Sequence, residues 1–321
     1  MYLAAGAGLA SGQGGAAGDV EGDLRLIDPS EHIESLAGPA SRFTGYPGCT
    51  EAGNYIARRF KELGLANVEE SPFQVVVPIV PGDERWGKKI PEAERGERPD
   101  HGGTLTIGER EIPLYCVLPN YVRTPMTNED GITGKLIWAG DGYLADFNQK
   151  VVKGNIVLLD FNSAMRWLDA ASLGAGAIVF VEAEDPFRFD AEQKYSEQPV
   201  PVPRYYLQRE KLPALVAAVT GKSEDDFTVE AALEFLGELG GGTLEPVEGN
   251  IRALMRWEEM DVMRISAEIP GTDPQLGDQT LVVFAYYDSV SVVPALSPGA
   301  ESACGVAALL EIAEFVAKHP P

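Results

Sequence analysis

Three histidines, His32, His101 and His319, are all the imidazole available to this chain of 321 residues. Imidazole is the commonest protein metal ligand and the usual general base near neutral pH, so chemistry built on it has few places to sit. His32 precedes the first helical stretch, His101 lies in a polar loop, and His319 stands at the carboxyl end. The three cysteines, Cys49, Cys116 and Cys304, are odd in number and far apart, with no CxxC pair. They support neither a disulfide framework nor a cysteine zinc site. The acidic runs Glu69-Glu70, Glu224–Asp226 and Glu258-Glu259 lack the alternating ligand spacing of a calcium loop and read as solvated faces or turns. Two segments remain. Tyr286, Tyr287, Asp288 and Ser289 end the apolar run TLVVFAYYDS, and strand carboxyl ends are where ligands bind in open α/β sheets. Glu301 and Ser302 sit in SPGAESACGVAALLE, a Gly/Pro loop running into a helix.

Those segments need elements to carry them. Ala52, Ile56, Phe60 and Leu63 fall on one helical face, with Gly64 where a C-terminal glycine belongs. SPFQVVVP reads as a strand. GKLIWAGDG, GNIVLLDF and GAGAIVFVE are short apolar runs bounded by glycines, as buried strands are. A helix in MRWLDAASLGAGA joins the last two, giving a right-handed crossover. VPVPRYYL reads as extended and LPALVAAVTG as a short helix. NIRALMRW and VMRISAEIPG are expected to pair around an EEMD turn, and TLVVFAYYDS to be buried on both faces. In the last segment Val306, Leu309, Leu310, Ala313 and Val316 share a helical face.

With 45% hydrophobic and 23% charged residues the composition is that of a globular protein, and the length suits about two domains. Lys and Arg number 26 against 49 Asp and Glu, a formal net charge of −23. Such a surface repels phosphate backbones and anionic lipid, which argues against nucleic-acid or membrane-surface binding. No apolar run approaches the ~20 residues of a spanning helix, so no membrane span is expected within residues 1–321. The opening MYLAAGAGLASGQGGAAGDVEGD reads either as a secretory-signal remnant or as a flexible tail, with the fold expected to begin near Asp23.

The order of helix, SRFTG, helix, then GKLIWAG, VKGNIVLLDF and AASLGAGAIVFVE, then IPGTDP, VVFAYYDSV and GAESACGVAALLE resembles the aminopeptidase-type zinc metallopeptidases carrying an inserted protease-associated domain. That group includes leucyl aminopeptidases and glutamate carboxypeptidase, with transferrin receptor and nicastrin as non-catalytic relatives. The resemblance covers nearly all of residues 28–318. It implies an α/β fold: a zinc-exopeptidase-like mixed-sheet core, truncated, with a β-rich protease-associated insert. The expected division is a tail or signal remnant at 1–23, core at 24–78, a polar loop at 79–103, the insert at 104–225, and more core at 226–321, incomplete at its carboxyl end.

The resemblance also implies a site. In the family two zinc ions are bridged by a carboxylate, and a metal-bound water attacks the peptide carbonyl with a glutamate as general base. The first ligand motif, His-x-Asp, falls here on Tyr286-Tyr287-Asp288, so the orienting acid is Asp288 but the ligand position is Tyr286. A phenol with a pKa near ~10 is a poor zinc ligand at neutral pH. Anchored on Gly305, the bridging aspartate falls on Glu301 and the following asparagine on Ser302. The implied site equivalents are therefore Tyr286, Asp288, Glu301 and Ser302, with no catalytic residue, metal or other cofactor expected in this chain.

Each position also has a plainer reading. Asp288 caps the following turn, Tyr286 is a packed aromatic, Glu301 complements a helix dipole, and Cys304 is an inert core thiol. Ser41 and Arg42 in SRFTG are structural, and Gly45, Gly48 and Gly174 are backbone requirements. Three functional readings stand: a non-catalytic peptidase-like module binding a protein or peptide partner; the amino-terminal part of an active zinc exopeptidase whose other ligands follow Pro321; and the extracytoplasmic domain of a larger membrane transport-type protein. An extracytoplasmic location suits the possible signal remnant.

Overall fold

The computed structural model describes residues 2–5, 28–81, 84–85, 88–89, 101–120, 123–195, 199–240, 246–276 and 279–319. It divides into two compact units: residues 1–77, 259–291 and 296–321, and residues 78–258 with 292–295.

The first unit begins with strand β1 (Tyr2–Ala5), so an ordered element lies ahead of the expected start near Asp23. Helix α1 (Ser30–Ala37) follows, and His32 lies within it rather than before it. Helix α2 (Pro47–Glu62) starts with a proline in its first turn, where the missing N–H costs nothing, and ends in Arg59 and Lys61, which suit the negative end of the dipole. Gly64 follows at φ +69°, a conformation glycine adopts without strain. Strand β2 (Ala66–Ile79), the long strand β12 (Arg256–Ile269) and strand β13 (Leu281–Phe284) form one sheet with β1, in the order β13-β1-β12-β2. Strand β1 runs parallel to β12 and antiparallel to β13. Helix α7 (Ala300–Lys318) packs on α1 and α2. Ile56, Phe60, Ile265, Val306, Leu309 and Leu310 form the centre of this core.

Two sequence expectations fail in this sheet. The EEMD segment is not a turn: β12 runs through it with alternating exposure from Arg256 onward. No glycine or proline interrupts that stretch, and the break falls instead at Leu254-Met255. Strand β13 is not buried on both faces but forms the sheet edge among the described residues, with Leu281, Val282 and Phe284 each half or more exposed. An apolar run reports the tendency to be covered, while the number of neighbouring strands is set elsewhere in the chain.

The second unit is a closed seven-stranded barrel: β5 (Gly102–Ile107), β6 (Arg110–Cys116), β7 (Ile132–Trp138), β8 (Ile156–Asp160), β9 (Ala177–Val181), β10 (Arg204–Leu207) and β11 (Glu248–Ala253), ordered β10-β6-β5-β11-β7-β8-β9. Strands β7 to β10 are mutually parallel, and the others are antiparallel to their neighbours. The expected crossover is present, with helix α3 (Trp167–Ser172) between β8 and β9. Every residue of β9 is buried, as the continuous apolar run requires. Helix α4 (Arg188–Lys194) precedes β10; α5 (Leu212–Thr220) and α6 (Val229–Gly240) follow it, packed on each other and on β6 and β7.

The boundary between units differs from the one read in the sequence. Residues 226–258 belong to the barrel unit, because β11 pairs with both β5 and β7 and completes the ring. The expected polar loop over 79–103 is partly ordered. Ile79 ends β2, Val80 is buried, β3 (Glu84–Arg85) pairs with β4 (Lys88–Lys89), and Gly102-Gly103 open β5. Residues 82–83, 86–87 and 90–100 of that loop lie outside the described residues, as do residues 1 and 6–23 of the expected tail and 24–27 of the expected core. No helix among the described residues is long and apolar enough to cross a membrane.

Candidate functional site

Four sequence positions define the candidate site, and all lie in the first unit. Tyr286 and Asp288 follow β13, and Glu301 and Ser302 occupy the first turn of α7. What joins them is a third segment, Ser41–Thr44, brought in from the loop between α1 and α2. Ser41 forms an isolated bridge with Ser297, and the Arg42 N–H donates to the Ser297 carbonyl at 2.8 Å. In return the Ser289 N–H donates to the Arg42 carbonyl at 3.1 Å. Thr44 donates its hydroxyl to Asp288 Oδ2 at 2.8 Å. The loop after β13 and the start of α7 are therefore both stitched to one short stretch of chain.

Arg42 is the centre of this arrangement. Its side chain is 0% exposed, and Nη2 donates to the Gly299 carbonyl at 2.6 Å and to Ser302 Oγ at 2.8 Å. Burial lowers the guanidinium pKa, partly offset by Cys49 and by the Asp288 carboxylate. Gly299, the residue before α7, is at φ +65°, and a Cβ there would lie 2.3 Å from Ser289 Cβ and 2.9 Å from Arg42 Nη2. Only glycine leaves room for the guanidinium to reach the helix start. Gly48 is required for the same kind of reason, since its Cβ would lie 2.2 Å from the Ser41 carbonyl oxygen.

Burial acts on the neighbours as well. It pushes the Cys49 thiol up to about 11, with the Asp288 charge adding to the effect and Arg42 opposing it. It also raises the Tyr287 phenol to about 12, helped by Cys49 and Asp288, while Tyr287 Oη donates to the Met263 carbonyl at 2.6 Å. Both groups are protonated near neutral pH and are poor nucleophiles there.

The structure thus joins Asp288 and Ser302 in one hydrogen-bonded set. Tyr286 is not a packed aromatic: it is 76% exposed and meets Phe284 edge-on, ring centroids 6.4 Å apart. Glu301 is the exposed acid of the first turn of α7, where its charge suits the helix dipole. Cys304 is exposed and not in the core, because it lies off the face carried by Ala303, Val306 and Ala307. His32 is buried and its Nδ1 meets Tyr55 Oη at 2.6 Å, the His101 ring packs edge-on to Tyr115, and the His319 ring lies against Phe315. Among the described residues no group of three or more His, Cys, Asp or Glu side chains is placed to hold a metal ion.

The sequence pointed to Asp288 and Ser302 but not to Arg42 as the residue between them. Arg42 and Ser302 are 260 residues apart, and no local pattern reports such a pairing.

Comparison with known proteins finds one family match, over the last part of the chain. The pattern of Peptidase family M28 matches residues 264–321. Among solved structures, the aminopeptidase from Aneurinibacillus sp. strain AM-1 shares 19% identity at a TM-score of 0.43, over 93% of this chain and 61% of that one. BSAP, a zinc aminopeptidase from Bacillus subtilis, shares 18% identity at a TM-score of 0.48, over 90% of this chain and 57% of its own. A Peptidase M28 precursor from Shewanella amazonensis SB2B shares 14% identity at a TM-score of 0.48, over 94% of this chain and 64% of its own. The chain therefore spans less than two thirds of the length of these structures. No curated protein matches it. The match to Peptidase family M28 falls on the segment that holds Tyr286, Asp288, Glu301 and Ser302.

Proposed function

We propose that this chain is a peptidase-like domain without peptidase activity, which binds a protein or peptide partner. One observation carries the reading: the positions that would have to grip metal are occupied by groups that do not suit it. Tyr286 puts an exposed phenol where the family has imidazole. At the other side, Ser302 Oγ is already held by the buried Arg42 guanidinium at 2.8 Å. A fixed cation at that distance disfavours a dication bound beside Ser302, by Coulomb repulsion. Asp288 keeps its charge but spends Oδ2 on Thr44. Glu301 keeps the charge of a bridging acid with one methylene more, which two metals ~3.5–4 Å apart leave little room for. These donors do not fit a pair of zinc ions.

Metal analysis of the purified protein, after dialysis against zinc and then against buffer, tests the reading. We expect well under one equivalent per chain, and no hydrolysis of aminoacyl p-nitroanilides above buffer. Two tightly held equivalents with turnover would establish instead a zinc exopeptidase with an altered shell.

A further inference from the structure

We infer that the barrel unit carries a docking surface for a basic, apolar-anchored segment of a partner protein, at the carboxyl ends of its parallel strands. The inference rests on the proposed function only in expecting a protein partner.

Three loops leave that end of the barrel: residues 139–147 after β7, 161–166 after β8 and 182–187 after β9. They are tied into one rim. Arg166 Nε donates to the Asp141 carbonyl at 2.6 Å and its guanidinium stacks over the Tyr143 ring at 4.3 Å, joining the first loop to the second. Asn162 Nδ2 donates to the Asp185 carbonyl at 2.9 Å, joining the second to the third. The middle loop is held firmly from within the unit. Ala164 sits at φ +46°, its N–H donating to Asp190 Oδ1 at 2.7 Å and its carbonyl accepting from the buried Lys194 Nζ at 2.7 Å. A non-glycine residue in that conformation persists only where its surroundings over-determine it. The rim is therefore preorganised, and binding to it costs little ordering.

Large apolar side chains crown it. Tyr143, Leu144, Met165 and Phe187 are 55%, 67%, 41% and 59% exposed, and Phe189 on the first turn of α4 is 62% exposed. Aromatic residues clustered in the open on a rigid scaffold are the composition of interface centres rather than of ordinary surface. The sheet beneath is closed, so a partner cannot add a strand and must be held by side chains.

Charge selects the partner. Residues 139–147, 161–166 and 182–189 hold five carboxylates (Asp141, Asp146, Glu182, Glu184, Asp185) against two guanidiniums. Both guanidiniums are engaged locally, Arg166 as described and Arg188 with Glu192 at 2.9 Å, and Glu184 is paired with Arg209 at 3.4 Å, which leaves Asp141 and Asp185 as the carboxylates that face a partner. Asp141 and Asp185 are exposed on the first and third loops. A second copy of a chain of net charge −23 is repelled from such a rim, as are nucleic acid and anionic lipid. A segment with lysine or arginine flanking leucine or phenylalanine fits both features.

Fluorescence anisotropy with the whole chain at physiological salt tests this. The probes are a labelled hexapeptide of sequence Lys-Leu-Arg-Phe-Lys-Leu and its counterpart with glutamate at the basic positions. The basic peptide is expected to bind, to weaken at least about tenfold in the Phe187→Ser/Phe189→Ser variant, and about threefold or more in Asp141→Asn/Asp185→Asn. Phe73→Ser/Val76→Ser, on exposed positions of β2, should leave its affinity unchanged. Any one of four results overturns the inference: no binding of the basic peptide up to roughly 1 mM, equal binding of the acidic one, unchanged affinity in both rim variants, or self-association of the free chain that Phe187→Ser/Phe189→Ser abolishes. None of these outcomes bears on zinc content, so failure here leaves the absence of peptidase activity to be judged by its own assay.

Discussion

Arg42 shows how one residue can both complete a fold and close a chemistry. A fully buried cation is costly unless its donors are used; here Nη2 is used twice, on the carbonyl and the hydroxyl at the start of α7, while Nε and Nη1 are buried without a hydrogen-bond partner and offset part of that gain. Arg42→Met keeps much of the volume and removes both bonds. It is expected to cost about 2–4 kcal/mol in urea unfolding followed by circular dichroism. A loss below about 1 kcal/mol would mean that the guanidinium is a passenger. Lys194 in the barrel poses the opposite case. Its Nζ is 0% exposed, faces the Phe161 and Phe180 rings, and has a carboxylate, Asp190, at 4.0 Å. Burial lowers its pKa to about 8 from 10.5, with Asp190 and Asp160 opposing and Arg166 and Arg204 assisting. Because the folded pKa lies below the unfolded one, the unfolded chain binds more protons between those values, and stability from this group rises with pH across that window. Wild type minus Lys194→Met, measured at pH 7 and pH 10.5, should therefore move in favour of wild type by up to about 3 kcal/mol. No movement would show that Lys194 is neutral or solvated throughout.

Elements were legible wherever their signal was local. The faces of α2 and α7, the β8–α3–β9 crossover and the glycine after α2 all follow from periodicity and turn chemistry within about fifteen residues. What was not legible depended on distant partners: β11 closing the barrel between β5 and β7, β12 continuing through EEMD, and β13 standing at an edge. The site divides the same way. Asp288 and Glu301 could be placed from their own neighbourhoods, whereas the Thr44 and Arg42 contacts span 244 and 260 residues. Two glycines of α2 separate local from long-range demands in a single helix. Gly53→Ala would put its Cβ 3.4 Å from Ile265 Cδ1 and from Tyr287 Oη, ordinary contact, so the gain in helix propensity should dominate and stabilise by about 0.5–1 kcal/mol. Gly48→Ala would drive its Cβ to 2.2 Å from the Ser41 carbonyl oxygen and 2.6 Å from Pro39 Cβ, and should destabilise by several times that amount. Thermal unfolding of the two variants, side by side, checks the sign of each.

At the scale of the whole chain, the division into units makes the barrel a candidate for independent folding. Its sheet closes on itself, with β10 hydrogen-bonded to both β6 and β9, so no edge is left for another strand. Its main core cluster, which includes Leu105, Leu158, Tyr205 and Leu215, is drawn from residues between Val80 and Met255. The only part supplied from further along the chain is Val292–Ala295, whose Val292 carbonyl accepts from the Leu118 N–H at 2.8 Å. Val292 and Val293 are 8% and 3% exposed, and losing each buried side chain forfeits about 1.5–3 kcal/mol. A fragment of residues 78–258 should therefore fold, with a lower urea midpoint than the barrel has in the whole chain. It should also keep the near-ultraviolet dichroism of Trp167, a ring that is 0% exposed and stacked under the Arg204 guanidinium at 4.7 Å. A fragment with far-ultraviolet signal but no near-ultraviolet band and no cooperative transition would show that the ring of strands needs more of the chain than its own hydrogen bonds imply.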